Sequence, residues 1–117
     1  MKKVYICAPL GGDVQGNLEK AKRYSEYALR CGAAPVTPHF YALCLDDSIP
    51  EEREMGMAAG LSLLWFCDEV WVFGGITEGM LTEIAVAAGD GKRVRAMDPG
   101  ARGAIERAAG GRQDEEP

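Results

Sequence analysis

The feature that most constrains the fold is a regular alternation of short β-branched runs with longer helical stretches. "KVYICAP" (3–9), "APVTP" (34–38), "DEVWVFG" (68–74) and "KRVRAM" (92–97) read as strands. Between them, "NLEKAKRYSEYALRCG", "EEREMGMAAGLSLLWFC" and residues 79–90 read as helices. In the first helix Leu18, Ala21, Ser25, Ala28 and Leu29 are expected on one face, with Asn17 as N-cap and Gly32 as the stop. The second opens on acidic residues, which suits the positive end of a helix dipole. "HFYALCLDDSIP" (39–50) is a longer connection of the kind that borders sites.

Strands that alternate with helices imply a parallel sheet covered on both faces. The expected fold is α/β, a three-layer Rossmann-like (flavodoxin-like) sheet of about four to five strands. A length of 117 residues and a hydrophobic fraction of 47% support one core and no more. Residues 1–97 form the expected domain; 98–117, rich in Gly, Ala and charge, read as a short marginal helix and a solvated tail.

The formal charge of -5 disfavours nucleic acid and anionic membrane surfaces as partners. No apolar run is long enough to span a bilayer. The basic pair and apolar run of "MKKVYICAPL" end at Gly11, Gly12 and Asp13, so they read as a first strand rather than a leader. Cys7, Cys31, Cys44 and Cys67 form no CxxC pair, and only His39 is available as a nitrogen ligand. A metal site is not expected; reduced thiols in a cytoplasmic protein are.

Ligands of parallel α/β sheets bind beyond the carboxyl ends of the strands, where the strand order reverses. The loops expected there are "APLGGD" (8–13) and "GGITEG" (74–79), both glycine-rich. Such loops let backbone N–H groups approach a phosphate or a sugar hydroxyl, although two ordinary tight turns would look the same. The Lys-Ser/Thr pair of a P-loop and a GxGxxG fingerprint are both absent. Glu83 falls about one turn into the following helix, among Leu, Ile and Ala. A carboxylate there can attack or stabilise a cationic sugar centre; it can also simply complement the helix dipole.

"YICAPLGG", "TPHF", "CDEVWVFG" and "EGMLTEIAVA", in this order over residues 3–96, resemble the nucleoside 2-deoxyribosyltransferase superfamily, including the deoxynucleoside 5′-monophosphate N-glycosidases. The likeness is greatest to a branch of uncharacterised phage and bacterial proteins. The resemblance implies a small-molecule nucleoside or nucleotide substrate, no cofactor, and a homodimer. It implies Glu83 as nucleophile, from a Gly-x-x-x-Glu start that begins at Gly79, with Tyr5 of the first strand as its partner. Thr77 stands where the glycosidases place a phosphate-holding serine, and His39 where they carry a histidine. The implied cradle comprises Ala8, Pro9, Gly11, Gly12, Gly74, Gly75, Thr77, Glu78 and Gly79. "FGGITEGMLTE" is also similar, with different glycine spacing, to the "PGGxGTxxE" loop of cytokinin-activating phosphoribohydrolases.

One departure stands against these agreements. The superfamily places an aspartate on the helix before the third strand, to act on the leaving base; the matching position here is at or near Gly60. Asp68 begins the third strand, on the order of 16 Å from the site at ~3.3 Å per residue. A substitute acid is expected from Glu78, Asp13, Asp46 or a neighbouring subunit. Failing that, the chain is expected to be a non-catalytic nucleotide-binding module. Trp71 and Phe73 read as core, and Tyr41 as a base platform or subunit contact.

Overall fold

In the computed structural model, residues 1–103, 105 and 106 are described. They form strand β1 (Lys3–Cys7), helix α1 (Val14–Arg30), strand β2 (Ala34–Val36), a 3-10 segment (Pro38–Leu43), helix α2 (Pro50–Leu64), strand β3 (Glu69–Val72), helix α3 (Glu78–Gly89) and strand β4 (Arg93–Ala96). The four strands pair in parallel in the order β2-β1-β3-β4, with Tyr5 opposite both Val36 and Val70, and Cys7 opposite Val72. The chain leaves β1 toward β2 on one side and later returns to β3 on the other. The strand order therefore reverses between β1 and β3.

The central strands β1 and β3 read as nearly continuous apolar runs because both faces are covered. Val4 and Ile6 of β1 join Ala28, Trp71 and Phe73 in the core under α1. Tyr5 and Cys7 alternate to the opposite face, where Val70, Val72, Leu64 of α2, and Met80 and Ala87 of α3 complete a second core. This is the expected three-layer architecture, with four strands among the described residues.

Local chemistry moves several boundaries. Asp13, not Asn17, caps α1 and accepts from Gly16 N. Asn17 lies one turn inside and donates from Nδ2 to the Leu10 and Gly11 carbonyls at 2.9 and 3.3 Å, tying down the first glycine loop. Leu29 is 59% exposed because it sits about 100° around the helix from buried Ala28. Gly32 stops α1 with φ +82°. The second helix ends at Leu64, leaving Trp65 and Phe66 exposed. Trp71 and Phe73 are core, and Phe73 stacks on Tyr24 with ring centroids 4.1 Å apart.

Residues 99–103, 105 and 106 are helical, and Ala101 is fully buried against the α3-side core. The tail expected beyond it lies outside the described residues. Asp98 links this helix to the third strand's exit: Oδ2 accepts from Gly74 N at 2.9 Å and Oδ1 from Ala101 N at 2.8 Å. Gly74 has φ +75° and Pro9 Cδ would lie 3.3 Å from an added Cβ, so no larger residue fits without strain. Replacing Asp98 with Ala removes the acceptor for two part-buried N–H groups. Chemical denaturation should show a loss of about 1–3 kcal/mol.

Candidate functional site

Helix α3 turns Glu83 inward. Its buried stripe runs Met80, Ile84, Ala87, and Glu83 lies on the same side at i+3 from Met80. The Thr77 side chain caps the helix, accepting from Met80 N at 3.4 Å, which fixes where the first turn begins. The inward carboxylate meets two successive residues of β1 that share its face. The Tyr5 hydroxyl donates to Oε2, and the Cys7 thiol donates to Oε1 at 3.4 Å.

Burial pushes the Glu83 pKa up, partly opposed by the hydrogen bonds from Tyr5 and Cys7. Burial, and then the neighbouring carboxylate, push the Tyr5 phenol and the Cys7 thiol up as well. Both therefore remain protonated donors beside the Glu83 carboxyl group.

Glu83 and Tyr5 open on a cavity of about 370 Å³, which is large enough for a nucleoside-sized molecule. Of the cradle expected from sequence, Ala8, Gly11, Gly12, His39, Thr77 and Gly79 line it together with Tyr41. Pro9, Gly74, Gly75 and Glu78 do not, and the Gly74 N–H is already engaged by Asp98. His39 is buried, with Nε2 2.9 Å from the Ala8 carbonyl, and burial lowers its pKa. With Nε2 at the Ala8 carbonyl, Nδ1 is buried and has no hydrogen-bond partner among the described residues.

The acids expected as substitutes lie elsewhere. Asp13 caps α1, Asp46 accepts from Ser48, and Glu78 is exposed in the first turn of α3. Asp68 accepts from Lys3 N at the far end of the sheet. The carboxylates that line the cavity beside Glu83 are Asp47 and Glu52, accompanied by the Arg53 cation. Sequence reading passed over these three because a connection and a helix start rich in acids give no sign of which side chains face inward. Gly60 lies next to the pair: an added Cβ would lie 3.0 Å from the Tyr5 hydroxyl and 3.2 Å from Pro38 Cβ.

The match to a family model covers residues 2–97, nearly all of the sheet and its helices. The chain belongs to the DUF7768 family, a domain of unknown function. No curated protein matches it. A solved structure of the 2-deoxyribosyltransferase from Bacillus psychrosaccharolyticus is similar to this DUF7768 chain with a TM-score of 0.62 and 18% sequence identity. The similarity covers 79% of this chain and 69% of that one, and at this identity it is a likeness of fold. The family match ends at residue 97, so Asp98 and the helix it anchors lie just beyond it.

Two outcomes follow from this geometry. Gly60→Ala puts a methyl group 3.0 Å from the Tyr5 hydroxyl and 3.2 Å from Pro38 Cβ, so denaturant unfolding should show less than the gain of about 1 kcal/mol that Ala brings over Gly at an open helix position. Glu83 has a raised pKa in the folded protein, so its stabilising contribution is complete below the unfolded-state pKa and is lost as pH rises through the folded-state value. The stability of wild type relative to Glu83→Gln should accordingly fall as pH rises above the ordinary carboxylate range. A difference that is flat or rises with pH would contradict the buried placement of the carboxylate.

Proposed function

We propose that this chain acts on the N-glycosidic bond of a nucleoside or nucleoside 5′-monophosphate, with Glu83 as nucleophile and Tyr5 as its orienting partner. The observation that carries this reading is a buried carboxylate, held by two donors of β1, in the lining of a cavity where the strand order reverses. The fold shared with a 2-deoxyribosyltransferase and the ordered motifs support it.

In the proposed step Glu83 attacks the anomeric carbon, the carbon–nitrogen bond breaks, and its electron pair leaves with the base. The base takes up a proton, for which Asp47 and Glu52 are the remaining carboxyl sources in the cavity. Water or a second base then releases the sugar from Glu83, giving hydrolysis or transfer. Tyr41 is the aromatic ring of the cavity wall available to stack on the base. The same reading places the protein in the cytoplasm as a homodimer.

A specific observation also favours a second reading. Position 60 holds no acid, and the Tyr5 hydroxyl packs where its side chain would start. A general acid contributes roughly 10²–10⁴-fold, so a site without one would bind a nucleotide and cleave it little.

Incubation with deoxynucleosides and their monophosphates, followed by chromatography, separates the readings. The first expects free base, lost in Glu83→Gln. The second expects micromolar binding by calorimetry with no base released. Equal release by wild type and Glu83→Gln would remove Glu83 from the mechanism.

A further inference from the structure

The proposed reaction uses Glu83 and Tyr5 and leaves unexplained the buried thiol beside them. Cys7 is fully buried, one face-repeat along β1 from Tyr5, and reaches the carboxylate oxygen that Tyr5 does not. Its other neighbour is the Met80 carbonyl, at 4.0 Å, so the thiol hydrogen has one close acceptor. With no exposed surface, it is not itself placed to attack a ligand.

We propose that Cys7 is a positioning residue for Glu83, its thiol holding Oε1 so that the carboxylate is clamped on β1 through both oxygens. The phenol is the strong donor and anchors Oε2. A thiol is a weak donor, so Oε1 is oriented without being neutralised. The inference deepens the proposed reaction, but the clamp itself exists whether or not the bond is cleaved.

A hydrogen bond to the ionised form lowers a carboxyl pKa in proportion to its strength, which gives a signature that packing alone does not. Carbon-13 labelling of glutamate side chains and NMR titration, with Glu83 assigned from its Gln variant, reads the midpoint directly. Relative to wild type, Cys7→Ala should raise the Glu83 midpoint by about half a pH unit or more, and Cys7→Ser, whose shorter C–O bond holds its donor farther from Oε1, should raise it less. The other groups around the carboxylate are constant across this series: Tyr5 on β1, Cys67, His39 of the 3-10 segment, Asp47 of the connection, and Glu52 and Arg53 of α2.

In the intact wild-type protein, the S–H Raman band of Cys7, found by difference from Cys7→Ser, should shift with the Glu83 midpoint. This second readout holds even if the alanine variant folds poorly. Unchanged midpoints across the series, or an S–H band blind to the titration, would overturn the clamp. A shifted midpoint without base release would uphold the clamp and count against the proposed reaction.

Discussion

A carboxylate taken out of water keeps its charge only if donors replace the solvent it has lost, and the site in this protein depends on that exchange. Glu83 sits on the buried stripe of α3, where an aliphatic residue would ordinarily pack. What it meets is not an apolar sheet surface but a phenol and a thiol from alternate positions of β1. The helix and strand are thereby joined by polar bonds inside an otherwise apolar core. Losing either donor would leave the remaining charge under-solvated, which is costly at this depth.

Topology explains why this contact lies at a cavity. Parallel order β2-β1-β3-β4 opens a crevice at the carboxyl ends of β1 and β3, and α3 begins just past one of those ends. The first loop is held by Asn17 and the other by Asp98, each through side chains that satisfy backbone groups. Both loops are thus fixed from outside the crevice. Gly60 completes the arrangement by leaving space for the Tyr5 hydroxyl on the α2 side.

Much of this was legible in the sequence, for identifiable reasons. Strands buried on both faces show as unbroken apolar runs, so the sheet and its parallel character followed from "KVYIC" and "EVWV". Glu83 stood out because a charge on an apolar stripe needs an explanation. The inward turn of Asp47, Glu52 and Arg53 was not legible, because exposed and cavity-facing charges look alike in a helix start. Asn17 misled for a related reason: asparagine favours helix caps, yet here its amide serves a loop one turn back. The burial of Ala101 was not legible, because Gly and Ala carry weak local signals and it arises from packing with the sheet and α3. The role of Cys7 follows only from geometry, since a thiol in a strand otherwise counts as a small hydrophobe.

In the proposed reaction the Glu83 carboxylate, held on β1, forms a bond to the sugar. A deoxynucleoside fluorinated at C2′ should slow breakdown of that bond, because fluorine destabilises the cationic transition state. Intact-mass spectrometry after incubation with such a compound measures the outcome directly. The account predicts a mass gain equal to the fluorosugar, located on the peptide containing Glu83 and absent from Glu83→Gln. A gain on another residue, or base release from the unmodified nucleoside that Glu83→Gln leaves undiminished, would contradict it.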